Sequence, residues 1–217
     1  MMTTLIRKAA LTACGAVFAG GMITGPMSAT AAPSGTGPLA ALTERGKGTG
    51  ERQLKVRYEA QPNFYYCGPA AVRNALTVMD RDVSQDDLAR EMGTTERGTD
   101  SAHLITKALN ERSGKNVYRT VELPGPVADD AQTDRLRADI VSAVDDGRSP
   151  VVNVVGTGTD TDGTSHTFEG GHYISVTGYR GGGDQVKIAD SADPARAEYW
   201  ITIDALADWA ATRGYSA

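Results

Sequence analysis

Residues 61–72 read QPNFYYCGPAAV and contain Cys67, the one cysteine that lies outside the N-terminal segment. Gly68-Pro69 favours a helix start, because proline lacks the N–H that a first turn leaves unpaired anyway. Apolar residues follow at helical spacing, so we predict a helix from Cys67 to Met79. The free N–H groups and the dipole of such a helix face the sulfur and lower the pKa of a thiol.

The first 31 residues have the pattern of an export signal. Arg7 and Lys8 precede a run of small and apolar residues without acidic side chains, and residues 29–31 read Ala-Thr-Ala. We therefore expect a secreted protein, cleaved after Ala31. Glycine and proline interrupt the apolar run, which argues against a permanent membrane span. A lipoprotein box ending at Cys14 is the alternative, but the apolar stretch before it is short.

The rest of the 217-residue chain divides into a linker and one domain. Residues 32–52 are rich in Gly, Pro and Thr, which is typical of a flexible linker or a short pro-segment. Residues 53–217 are enough for a single domain with its own core. The formal net charge of −5 argues against nucleic acid or an anionic membrane as a partner.

Within 53–217, helical periodicity dominates the first part and strand alternation the second. Gly156 to Gly171, between two of the strands, is predicted to be a long polar loop. The order of elements predicts an α+β fold with two lobes around a cleft. The predicted helices span 67–79, 84–92, 133–146, 204–212 and a segment from Asp100 or Ser101 to Gly114. The predicted strands span 54–58, 117–123, 150–155, 172–179, 185–190 and 199–203.

An activated thiol also needs a base, and the sequence offers three histidines. His172 is the best candidate, because it begins a well-patterned strand directly after two glycines. His103 lies on a predicted helix beside apolar residues, and His166 lies in the predicted loop. Cys67 could instead be a buried small hydrophobe, the usual fate of a free cysteine.

Two further groups complete a candidate catalytic site. Asp190 ends the strand that pairs with the strand of His172, so its carboxylate could orient the imidazole; Asp193 is the near competitor. The side-chain amide of Gln61 could loop back and, with the backbone N–H of Cys67, donate to an oxyanion.

These residues, in this order, resemble a known family. Gln61, the CGPA run from Cys67, the GHY run around His172 and the IAD run ending at Asp190 resemble the bacteriocin-leader-processing cysteine peptidases. The chain is even more similar to their stand-alone C-thirty-nine-like relatives, which have a papain-like fold. The resemblance covers about residues 54–209.

The resemblance implies Cys67 as nucleophile, His172 as general base, Asp190 as orienting carboxylate and Gln61 as oxyanion donor. It also implies a papain-like two-lobed fold, a peptide substrate, and chemistry that needs no cofactor or metal. The best-known members are domains of export transporters and cut after a double glycine. This sequence carries no transporter domain, so we do not transfer that specificity.

Three alternatives remain open. An acyl transferase or a cell-wall amidase could use the same thiol chemistry, and an extracellular binding module could keep the fold without activity.

Part of a calcium-loop spacing is also present, in Asp160, Asp162, Gly163 and Glu169, although Gly158 stands where the first carboxylate belongs. A solvated loop that shapes the substrate site is the favoured interpretation of that segment.

Overall fold

Helix α1 runs from Cys67 to Thr77 in a computed structural model that describes residues 50–217. Its apolar side chains, among them Val72 and Leu76, are fully buried. The helix ends two residues before the predicted Met79, because the chain leaves the helix in a turn that places Asp80 at a φ of 56°. The hydroxyl of Ser175, on a central strand, donates to the carbonyl of Ala71 at 2.8 Å and ties this helix to the sheet.

Three more helices precede the main strands, and side chains cap each of them. Helix α2 spans Gln85–Glu91 and is capped by Ser84. Helix α3 spans Ala102–Ser113, and the hydroxyl of Ser101 accepts from its first turn. Helix α4 spans Asp130–Asp145.

Helix α4 begins at Asp130, three residues before the predicted start at Thr133. Asp129 and Gln132 form a capping box, in which each side chain accepts from the backbone N–H of the other. The helix therefore gains a first turn N-terminal to the apolar stripe on which the prediction was based.

The described residues contain seven strands: β1 Arg52–Gln53, β2 Thr120–Glu122, β3 Val151–Thr159, β4 Ser165–Arg180, β5 Gln185–Ala189, β6 Glu198–Thr202 and β7 Gly214–Ser216. They form one antiparallel sheet in the order β2-β7-β3-β4-β5-β6, with the short β1 pairing with β4. Helix α5, Ile203–Trp209, connects β6 to β7.

Two clusters of buried hydrophobic residues form the core of the described residues. One joins α1, α2 and α3 and includes Cys67 and Tyr173. The other joins the sheet to α4 and α5. This arrangement confirms the predicted α+β class, with a helical part packed on an antiparallel sheet.

Several predicted strands were wrong in extent. Residues 54–58 are not a strand; only Arg52–Gln53 pairs with β4. The segment 117–123 contributes only Thr120–Glu122. The predicted polar loop from Gly156 to Gly171 is instead the β3–β4 hairpin, whose tip is the turn at residues 160–164.

The predicted signal peptide at residues 1–31 lies outside the described residues, as does nearly all of the predicted linker at 32–52. Within residues 50–217, no helix has the length and apolar character that crossing a membrane requires.

Candidate active site

Cys67 is the first residue of α1, and its sulfur lies at the positive end of that helix. The residue is 9% exposed. Burial raises the pKa of the thiol, but the hydrogen bond and charge of His172 and the backbone N–H groups of Tyr173 and Gly68 together lower it by more. The net effect is a pKa below the ordinary value of a cysteine, which favours the nucleophilic thiolate.

His172 lies on β4 and joins the thiol to a carboxylate. Its Nε2 is 2.7 Å from Oδ1 of Asp190, the residue that follows β5. Since Nε2 is hydrogen bonded to Asp190, Nδ1 is the ring nitrogen left to accept the proton of the Cys67 thiol. Burial lowers the pKa of His172, but the hydrogen bonds and charges of Asp190 and Cys67 together raise it above its ordinary value.

A bulge in β4 places an aromatic ring against this imidazole. Val154 pairs with His172 and Gly156 with Phe168, so three β4 residues oppose one on β3. Gly171 within the bulge has a φ of 89°, a value that glycine adopts without strain. Residues four apart in a regular strand are separated by about 13 Å. Here the rings of Phe168 and His172 stack with centroids 3.9 Å apart.

The structure distinguishes the two predicted orienting carboxylates. Asp190 accepts from His172 and from the Ala192 backbone N–H at Oδ1, and from the Tyr199 hydroxyl at Oδ2. Burial raises the pKa of Asp190, but these hydrogen bonds, with that of His172 the largest, lower it overall. Asp193 instead accepts from the backbone N–H of Ala195 at the start of a short 3₁₀ turn.

Gln61 is held beside the segment that follows Asp190. Its backbone N–H donates to the carbonyl of Ser191, and its side-chain oxygen accepts from the Ser191 hydroxyl at 3.0 Å. One N–H of its side-chain amide donates to the carbonyl of Asn63 at 2.8 Å. An amide nitrogen carries two hydrogens, so a second N–H remains for another acceptor.

Cys67 lines a polar cleft with a volume of about 620 Å³. The cleft runs between the helical part and the sheet, and both cationic and anionic side chains line it. Its walls include Arg97, Asn153, Gly171, Tyr173 and Arg213. An extended peptide that entered the cleft would therefore pass Cys67.

The other two histidines have different surroundings. His103, near the start of α3, also lines the cleft. His166 lies on β4 and its Nε2 is 3.0 Å from Oδ2 of Asp160 at the hairpin tip. Oδ1 of Asp160 accepts from two backbone N–H groups of the turn. Protein donors thus satisfy Asp160, one of the three carboxylates in the calcium interpretation, and residues 50–217 contain no cluster of three metal-binding side chains.

Two residues at this site were missed from the sequence. Tyr199 contacts Asp190 only because β6 pairs with β5, a relationship that local patterns do not reveal. Phe168 shares a face of β4 with His166 and His172, but only the bulge brings its ring onto His172, and local patterns do not reveal that bulge either.

The comparisons with known proteins identify the family and the fold of the chain. The model of the Peptidase C39-like family matches residues 53–217. A solved structure of a putative C39-like peptidase from Bacillus anthracis is 13% identical, with a TM-score of 0.53 over 77% of this chain and 96% of that one. This likeness supports the fold.

Two transporter peptidase domains are also similar in structure. The peptidase domain of Streptococcus ComA is 18% identical, with a TM-score of 0.48 over 75% of this chain and 94% of that one. A double glycine motif protease from an AMS/PCAT transporter, solved with its leader peptide, is 14% identical, with a TM-score of 0.48 over 76% and 91%. No curated protein sequence matches the chain. The family match over 53–217 shows that the chain belongs to the Peptidase C39-like family and is a cysteine peptidase-like hydrolase.

Proposed function

We propose that this protein is a secreted cysteine peptidase that hydrolyses peptide bonds with Cys67 as nucleophile, His172 as general acid and base, and Asp190 as orienting carboxylate. One observation carries the proposal: Nε2 of His172 lies 2.7 Å from Oδ1 of Asp190, and the same imidazole lowers the pKa of the Cys67 thiol. Thiol, imidazole and carboxylate in such a chain constitute the arrangement that activates a nucleophile.

The first half of the reaction forms a thioester. The proton of Cys67 passes to Nδ1 of His172, and the thiolate attacks the carbonyl carbon of the scissile bond. The imidazolium then gives its proton to the amide nitrogen, the C–N bond breaks, and the amine product leaves. Asp190 stabilises the imidazolium through Nε2 during both proton transfers.

The negative oxygen of the tetrahedral intermediate needs donors close to the sulfur. The first N–H groups of a helix have no intrahelical partner, and that of Cys67 is one of them. The second N–H of the Gln61 amide is the other donor we assign to this oxygen. A single such donor contributes about 10²- to 10³-fold to turnover.

Water completes the cycle. Neutral His172 takes a proton from a water molecule, and the resulting hydroxide attacks the thioester carbonyl. The tetrahedral intermediate collapses with departure of the thiolate, which releases the carboxyl product and restores the thiolate–imidazolium pair.

Secretion rests on the sequence of residues 1–31, with its basic start, apolar run and Ala29-Thr30-Ala31. Expression of the full chain in a bacterial host with a general export pathway tests it. A culture-supernatant product whose first residue is Ala32 supports secretion. Retention of the uncleaved chain in the cytoplasm contradicts it.

Peptide hydrolysis is tested by incubating the purified protein with a diverse peptide mixture and identifying the products by mass spectrometry. We expect new peptide termini with the wild type and none with Cys67→Ser or His172→Ala. Products in which an acyl group has been transferred to an amine, or muropeptides released from cell walls, would instead identify the acyl-transferase or amidase alternative. Equal cleavage by Cys67→Ser would exclude the thiol mechanism.

A further inference from the structure

We propose that Tyr199, held in place by His166 and Asp160, is a positioning residue that fixes the carboxylate of Asp190 in the orientation His172 requires. This inference rests on the proposed function of the Cys67 site and adds an outer set of residues to it. The outer set consists of Tyr199 on β6, His166 on β4 and Asp160 at the tip of the β3–β4 hairpin.

The direct contact is the hydrogen bond from the Tyr199 hydroxyl to Oδ2 of Asp190, at 3.0 Å. His172 and the Ala192 N–H both donate to the other oxygen, Oδ1. A carboxylate held at both oxygens cannot rotate about its Cβ–Cγ bond without losing a hydrogen bond. Burial raises the pKa of Tyr199, as does the neighbouring Asp190, so the hydroxyl keeps its proton and remains a donor.

His166 supports the ring of Tyr199. The two rings are stacked, with centroids 3.9 Å apart and an interplanar angle of 18°. Nε2 of His166 lies 3.0 Å from Oδ2 of Asp160, and both side chains are 7% exposed. The backbone N–H groups of Asp162 and Thr164 fix Oδ1 of Asp160. The hairpin turn therefore sets the position of the imidazole against which Tyr199 packs.

Strand β4 supplies both imidazoles of this arrangement. His166 and His172 lie on the same face of the strand, with Phe168 between them in sequence. Phe168 stacks on His172, and the indole of Trp209 lies near both Phe168 and His166. Asp190 is thus approached by His172 from β4 and by Tyr199 from β6, and the two supports meet at one carboxylate.

Tyr199→Phe tests the contact, because it removes one oxygen and keeps the ring. The readout is the rate of alkylation of Cys67 by iodoacetamide as a function of pH, measured on the full protein without substrate. We expect the rate at pH 6 to fall about tenfold, since a hydrogen bond to a charged group is worth at least that factor. The pH of half-maximal rate should move upward, because an Asp190 without this donor protonates more readily and holds the imidazolium less well.

Tyr215→Phe is the matched control. The Tyr215 hydroxyl donates to a carboxylate, that of Asp139 on α4, at 2.7 Å. Both substitutions delete a tyrosine–carboxylate hydrogen bond, so a loss of melting temperature is expected in each. Only Tyr199→Phe should move the alkylation midpoint. If Tyr199→Phe lowers the melting temperature and leaves the midpoint unchanged, the residue is merely structural and the proposal is overturned.

His166→Gln tests the outer support, because glutamine retains a donor for Asp160 and lacks the aromatic ring. We expect a smaller upward shift of the midpoint than with Tyr199→Phe. The double variant should resemble Tyr199→Phe alone, because His166 acts through Tyr199. If the midpoint shifts of the two single variants add fully in the double variant, His166 does not act through Tyr199.

A wild type with an activated thiol and no peptide hydrolysis would defeat the proposed function and leave the alkylation test of Tyr199 intact.

Discussion

Nε2 of His172 lies 2.7 Å from Oδ1 of Asp190, and each of these side chains is only 4% exposed. Burial by itself would favour the neutral form of both groups. Their mutual hydrogen bond and attraction reverse that preference, so the pKa of His172 rises and the pKa of Asp190 falls. An imidazolium is therefore stable next to the thiol at neutral pH.

Asp190→Asn should reduce kcat/KM for peptide hydrolysis by about 10- to 100-fold. The amide oxygen can still accept from Nε2 of His172, but the negative charge that stabilises the imidazolium is gone. A tenfold loss corresponds to about 1.4 kcal/mol of lost stabilisation of the imidazolium, and a 100-fold loss to about twice that. Steady-state kinetics on a peptide identified as a substrate provide the measurement.

Asp193→Asn is the control for that variant. Asp193 caps a 3₁₀ turn three residues further along and accepts from a backbone N–H. An amide oxygen can take over this role, so kcat/KM should stay within about twofold of the wild type. A larger loss in Asp193→Asn than in Asp190→Asn would reverse the assignment of the orienting carboxylate.

The alkylation rate of Cys67 should respond to pH at a lower value than that of a free peptide thiol, whose pKa is about 8.5. The pKa of Cys67 lies below its ordinary value and that of His172 above its own. Between those two values the pair exists as thiolate and imidazolium. On lowering the pH, the rate therefore stays high until the depressed pKa of the thiol is reached.

His172→Ala should move that profile in the opposite direction. Burial, which raises the pKa of Cys67, remains in the variant, while the largest opposing contribution is lost. The midpoint is then expected at or above that of a free peptide thiol. A variant that keeps the low midpoint would show that the helix N-terminus alone activates the sulfur.

Gln61→Ala should lower kcat by about 100-fold or more and leave KM largely unchanged, since an oxyanion donor acts in the transition state. Ser191→Ala removes the hydroxyl that anchors the Gln61 side-chain oxygen and leaves the amide itself in place. A smaller reduction in kcat is expected there. An equal increase of KM in both variants, with kcat intact, would assign Gln61 to substrate binding instead.

Gly68→Ala should destabilise the protein by about 1–3 kcal/mol, because the added methyl group overpacks the start of α1. A Cβ at this position would lie 2.6 Å from Oγ1 of Thr99 and 3.3 Å from Cδ1 of Ile105. Gly170→Ala is the control, since a Cβ at that position meets no atom within 4 Å. Denaturant unfolding of both variants measures the difference.

Asp129→Ala should cost about 1 kcal/mol of unfolding free energy, the usual cost of losing an N-cap side chain. Asp130→Ala removes an acidic residue from the same first turn and leaves the capping box intact. Its cost should be only a few tenths of a kcal/mol, from the lost interaction with the helix dipole. Equal losses in the two variants would show that the box contributes nothing beyond charge.

The sequence predicts the helical part of this fold well, because capping residues and apolar spacing act within a few residues of each other. Ser84 caps α2 at the predicted start, Ser101 rather than the alternative Asp100 caps α3, and Gly114 ends α3 with a φ of 71°. The same local reasoning failed for the β3–β4 hairpin. Its Gly, Thr and Asp content indicated a loop, although Thr157 and Thr167 pair across the two strands.

The parts of the candidate site that depend on short sequence patterns were predictable. The helix start at Cys67 and the strand alternation at His172 are visible in the sequence. The contact of Tyr199 with Asp190 depends on strand register, which pairs Tyr199 with Ile188. Register follows from the packing of the whole sheet, so no short motif could reveal it.

The hydrogen bond from Ser175 to the carbonyl of Ala71 has a consequence for trapped forms of the protein. It links the helix that carries the sulfur to the strand that carries the imidazole, and it includes neither reacting group. Acylation or alkylation of the sulfur therefore leaves this tether unbroken. A protein arrested as the thioester intermediate should therefore keep its fold. It could be isolated with the acyl fragment still attached to Cys67, and that fragment would identify the substrate.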